Sequence, residues 1–198
     1  MGTGRLEAFS DGVLAIIITI MVLELHVPEG APGLDALHAV WPKFVSYVLS
    51  FIYIGIYWNN HHHMLHVTER VNGAVLWSNL HLLFWLSLVP FVTAWVGENH
   101  FASTPMALYG VVLLMAAIAY YVLQLALLSA EGPHSRLEAA LGSDLKGKLS
   151  PVLYLVAIIV AFYSPMISGA LYVLVALIWL VPDTRMERAV RTRREPQA

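Results

Sequence analysis

The stretch WNNHHHMLH, Trp58 to His66, carries four of the nine histidines in the chain, three of them consecutive. Imidazole can ligate a metal, exchange protons near neutral pH, or donate and accept hydrogen bonds. His62 and His66 are four residues apart and share one face of a helix, a spacing used by zinc and haem ligands. A haem oxidoreductase would draw His61 or His62 and His81 from neighbouring helices as axial ligands. A divalent cation transporter would want carboxylates beside them at mid-membrane depth, and the apolar segments have none there. The plainer reading makes His62, His63 and His66 polar residues at a membrane interface, with adventitious zinc binding or pH sensing as functional alternatives. The helices that carry them decide between these.

Of 198 residues, 59% are hydrophobic and 12% charged, about half the charged fraction of an ordinary soluble domain. So apolar a surface belongs in a bilayer, and the expected class is an all-α integral membrane protein. The chain has no cysteine, which excludes disulfides and thiolate chemistry. No cleavable signal peptide is expected, because Asp11 interrupts the first apolar segment and no small-residue cleavage site follows it. Neither a catalytic centre, a cofactor, a resident metal nor a nucleic-acid partner is called for.

Uncharged runs predict six transmembrane helices in one domain, at approximately residues 5–27, 40–62, 73–97, 104–130, 149–164 and 166–181. The fourth opens on Ser103, Thr104 and Pro105, a capping pattern, and stops before Glu131-Gly132-Pro133. The apolar stretch Leu149 to Val181 would make a helix of about 50 Å, against a bilayer core of roughly 30 Å. Ser164, Pro165 and Gly169 lie at its middle, so two short antiparallel spans are expected instead.

Basic residues test that count, since Lys and Arg gather on the cytoplasmic side. With six spans and the N-terminus inside, Arg5, Arg70, Arg136, Lys146, Lys148 and the tail arginines all fall inside, and only Lys43 falls outside. Both termini are therefore expected in the cytoplasm. The outer loops carry Glu24, Glu29, Asp35 and Glu98, which makes that face acidic. Residues 183–198 form a short basic tail whose simplest role is to set the topology.

The first span reads RLEAFSDGVLAIIITIMVLEL. Arg5 and Asp11 are about 120° apart around a helix, so each needs a partner elsewhere. Alternatively Ser10 or Asp11 caps a helix beginning at Gly12, leaving about 13 residues before Glu24, marginal for a span. Arg5, Phe9, Ser10 and Asp11 form an Arg-x-x-x-Phe-Ser-Asp motif. Trp58-x-x-His61 closes the second span, and Asn79-Leu80 in the third is followed by Pro90-Phe91. In these three motifs and their order the chain resembles the transmembrane protein 175 family of potassium channels. The likeness is close over three spans and a matter of layout over the rest.

The resemblance implies a potassium channel of the cell membrane, permeable to potassium and other monovalent cations, built as a homotetramer of six-helix subunits. It implies that the first helix lines the pore. Ile16 would form the narrowest ring, Thr19 a polar layer and Leu23 a second apolar ring, with Ile20 beside them. It implies too that Arg5, Ser10, Asp11, Trp58 and His61 belong to an interhelical polar network, with Phe9 in the motif and Asn79 joining from the third span. Helical spacing puts Ile16, Thr19, Ile20 and Leu23 on one face. Without the resemblance Ile16 and Leu23 would be read as ordinary packing, and Thr19 as bonding the Ala15 carbonyl one turn back. His81 has no assigned role.

Overall fold

The computed structural model of the chain describes residues 3–27, 34–133, 135, 137, 138 and 145–180, and every regular element among them is a helix. In chain order these are α1 (Thr3–Leu23), α2 (Leu34–His66), α3 (Gly73–Ser87), α4 (Val89–Glu98), α5 (Ser103–Glu131), α6 (Leu145–Ala161) and α7 (Pro165–Leu180). α1 runs unbroken through Asp11, so a helix starting at Gly12 is excluded. α2 begins at Leu34, ahead of the expected span, and contains Pro42.

The third expected span is two helices. Pro90 has no N–H to give the carbonyl of Leu86, and its ring crowds that carbonyl, so the ladder breaks at Leu88. α5 departs from expectation at its start. Its N-cap is Ala102 and no side chain caps it. Ser103 and Pro105 lie within the first turn, where proline's missing N–H costs nothing.

The long last apolar stretch does fold back, with Phe162–Ser164 between α6 and α7. Thr3–Leu23, Val40–His66, Gly73–Glu98 and Ser103–Glu131 are long and apolar enough to cross a membrane. The hairpin arms have 17 and 16 residues and reach only about 25 Å each. Residues 183–198 lie outside the described residues.

α5 runs along both α3 and α6, α2 packs on α4, and α1 lies against α2 and α3. Hydrocarbon offers no hydrogen bonds, so hydroxyls between these helices must find protein partners. Ser50 sits between Thr93 at 2.6 Å and Tyr109 at 3.0 Å. Tyr53 donates to the Tyr172 carbonyl at 2.6 Å, and Tyr172 donates to that of Met106 at 3.0 Å.

The polar contacts divide between two ends. At one, Glu131 accepts the backbone N–H groups of Glu69 and Arg70, both at 2.7 Å, and Trp179 donates to Ser150 at 2.7 Å. The start of α1 and the end of α7 lie at this end, with Arg5, Arg70, Lys146 and Lys148. At the other, Lys43 pairs with Glu98 at 3.2 Å, so one of the outer carboxylates is neutralised. Glu24 is exposed there; the side chains of Glu29 and Asp35 lie outside the described residues.

Beside the Lys43 pair, α2 and α4 touch at Gly97, where an added Cβ would lie 2.7 Å from the Cα of Lys43. Backbone cannot yield as a side chain does. Gly97→Ala is expected to push the helices apart and cost about 1–3 kcal/mol. Thermal melting in detergent checks this, with Gly55→Ala as the control because a methyl there meets nothing within 4 Å.

Candidate functional site

α1 has two faces. Leu6, Ser10, Leu14, Ile17 and Met21 recur at three- and four-residue steps and are buried against the rest of the subunit. The opposite face carries all four expected pore positions. Leu14 and Ile17 are 2% and 3% exposed, whereas Ile16 is 59% and Leu23 is 75% exposed; Thr19 and Ile20 are exposed with them. Thr19 donates to the carbonyl of Ile16 at 2.8 Å, three residues back, and not to Ala15 as expected. Its hydroxyl hydrogen is thereby occupied, while the oxygen keeps acceptor capacity on the exposed face.

A buried relay fixes which face is which. Ser10 directs its only hydroxyl hydrogen to the Leu6 carbonyl at 2.9 Å. Its oxygen can then only accept, and it takes a hydrogen from the Asn79 amide nitrogen at 3.0 Å. This orients the Asn79 amide, leaving its carbonyl oxygen 2.8 Å from His61 Nε2. That nitrogen must therefore carry a hydrogen, which assigns the tautomer and leaves Nδ1 as an unpartnered buried lone pair. Ser10, His61 and Asn79 are all buried, and they tie α1, α2 and α3 together at one level.

Two further contacts join α1 to α2 at its edge. The Trp58 indole donates to Asp11 at 3.0 Å. One turn away on both helices, Glu7 Oε1 and His62 Nδ1 are 2.6 Å apart. Five of the seven expected network residues are thus brought together, in two branches. Arg5 and Phe9 are not: both are exposed, and Arg5 makes no hydrogen bond or ion pair among the described residues.

Glu7 escaped the sequence reading because a lone acidic residue near the start of a helix is commonplace. Its spacing from Asp11, matched by that of Trp58 and His62, was the available signal. Two other histidines that the sequence singled out have local partners. His63 bonds the Asn59 carbonyl at 2.7 Å, and His81 accepts the Trp85 indole hydrogen at 3.0 Å within α3. Among the described residues no three His, Asp or Glu side chains are arranged to hold a metal ion.

Asn79→Ala should strand the Nε2–H of His61 in a dry interface. An orphaned buried donor costs about 1–3 kcal/mol, so thermal melting should show a clear loss. Trp58→Phe removes a half-exposed indole donor and should cost less.

Comparison with known proteins agrees with this architecture. A family model described as the endosomal/lysosomal potassium channel TMEM175 matches residues 5–90. A potassium channel of Chryseobacterium sp. (strain P1-3) is 53% identical over 191 residues, 96% of this chain and 99% of that one. One of Streptomyces collinus is 41% identical over 128 residues, 61% of this chain and 62% of that protein. Among solved structures, the crystal structure of a lysosomal potassium-selective channel TMEM175 homolog from Chamaesiphon minutus superposes with a TM-score of 0.80. It is 31% identical, covering 91% of this chain and 97% of that one. These are channels and not enzymes, and they lend no support to the haem or divalent-transport readings. By sequence and fold together, the chain belongs to the TMEM175 family of potassium channels.

Proposed function

We propose that this chain is a potassium-permeable cation channel of the cell membrane, a homotetramer in which four copies of α1 surround the conduction path. The observation that carries this is the division of α1. One face is seated by the Ser10–Asn79–His61 relay. The opposite face, with Ile16, Thr19, Ile20 and Leu23, is exposed among the described residues. One helix cannot enclose a pore, so a path along that face needs several subunits. Both chain ends then lie in the cytoplasm, the side favoured by Arg5, Arg70, Lys146 and Lys148.

The residues set the mechanism. Ile16 side chains form a neck that expels water when narrow and wets when it widens slightly. Apolar walls give an ion nothing in exchange for its hydration shell. An ion must keep its water or shed it at a cost larger for sodium than for potassium, so a modest preference for potassium follows. The Thr19 oxygens supply a polar layer one turn beyond, and Leu23 a second apolar ring. Glu24 just past α1 raises cation concentration at the outer mouth.

Reconstitution in liposomes, with potassium and sodium flux measured separately, tests the reading. Potassium flux exceeding sodium flux is expected, and a size in detergent corresponding to four chains. Ile16→Asn should widen and wet the neck, raising conductance several-fold and weakening selectivity. Unchanged current and selectivity in that variant would remove Ile16 from the filter.

A further inference from the structure

We propose that Glu7 and His62 form a pH-tuned positioning pair, which sets how firmly the permeation helix α1 is held to α2 at the end where the chain begins. The inference rests on the channel reading above. Glu7 Oε1 and His62 Nδ1 stand 2.6 Å apart, with the His62 side chain 44% and that of Glu7 25% exposed. Both residues lie about one turn from the ends of their helices, Glu7 near the start of α1 and His62 near the end of α2. The His62 ring lies stacked between Trp58, at a centroid distance of 6.1 Å, and His66, at 5.9 Å. A protonated imidazole over the indole gains a cation–π term in addition to the carboxylate.

The groups around His62 are few. α1 presents Glu7 and, one turn on, Asp11, whose Oδ1 is taken by Trp58. Arg5 stands two residues before Glu7, exposed and unbonded among the described residues. On α2 itself His61 is turned into the buried relay, His63 bonds the Asn59 carbonyl and meets the His62 ring edge-on at 5.7 Å, and His66 lies against the His62 ring. α3 contributes the uncharged Asn79 to His61. A single carboxylate thus faces the His62 nitrogen directly.

The sign follows from the two partners. With imidazole neutral, Nδ1–H donates an ordinary charge-assisted hydrogen bond to the carboxylate. With imidazole protonated, the same contact joins opposite charges and is stronger. The contact is therefore firmer with His62 protonated than with it neutral. Partial exposure limits the effect to roughly two- to fivefold in the balance between conformations of α1.

The test is single-channel recording from the reconstituted full chain while pH is varied between about 5 and 8 on one side at a time. Open probability should change two- to fivefold with pH on the side bearing Arg5 and Lys148. His62→Gln should fix it at the alkaline value and His62→Arg at the acid value, while Glu7→Gln should flatten the profile. His63→Gln should leave the profile intact. Profiles in His62→Gln and Glu7→Gln matching the unaltered protein, or no pH response in the unaltered protein, would overturn the pairing while leaving the channel standing. Absence of potassium flux at every pH would instead overturn the channel reading itself.

Discussion

The rest of the structure depends on the rotation of α1 about its own axis, and a buried hydrogen-bond relay sets it. A helix that is apolar from Gly12 to Leu23 has almost no preference for which side meets lipid, protein or water. Hydrophobic burial is non-directional and cannot choose. Ser10 can choose. In a dry interface its hydroxyl needs partners, and Asn79 on α3 supplies one while His61 on α2 holds Asn79 in place. Turning α1 by a third of a revolution would break the Ser10–Asn79 bond and leave a buried Asn79 N–H without its acceptor, at about 1–3 kcal/mol. The relay is thus a rotational key, and Leu14, Ile17 and Met21 follow it into the core.

What lies opposite the key is what the channel has to work with. An exposed isoleucine or leucine on a membrane helix needs no explanation in itself, because acyl chains accept it. The four positions are notable because they lie away from buried Ser10, with a threonine among them. Thr19 bonds its own backbone, so it can face water or an ion without having been drawn into the subunit. The polar ties of α1 cluster at one end, at Glu7, Ser10 and Asp11. The half that carries Ile16 to Leu23 is held by apolar packing alone. A helix tied by polar contacts at its base alone suits the proposed neck, which must widen slightly.

Much of the fold was legible in the sequence, for identifiable reasons. An apolar run too long for the bilayer, with Ser164 and Pro165 in its middle, announced its own turn. The gathering of Arg5, Arg70, Lys146 and Lys148 pointed to which helix ends share a side. The break at Leu88 was missed although Pro90 was in view, because an uncharged run of the right length satisfied the expectation of one span. The two faces of α1 could not be read from periodicity in a helix apolar all round; the motif resemblance pointed to them. Of the residues that the resemblance grouped, Ser10, Asp11, Trp58, His61 and Asn79 make hydrogen bonds between helices, while Arg5 and Phe9 are exposed. Glu7 was passed over because it falls on an unspecified position of the Arg-x-x-x-Phe-Ser-Asp motif, although its spacing from Asp11 matches that of Trp58 from His62.

The central claim, that the face of α1 opposite Ser10 is wetted by the conduction path, is tested most directly by cysteine accessibility. The chain has no cysteine of its own, so each introduced thiol reports alone. A charged thiol reagent applied to reconstituted channels should progressively block current in Thr19→Cys and Leu23→Cys, and should leave Ile17→Cys unaffected. Conducting Thr19→Cys and Leu23→Cys channels indifferent to the reagent, with block in Ile17→Cys, would contradict the account.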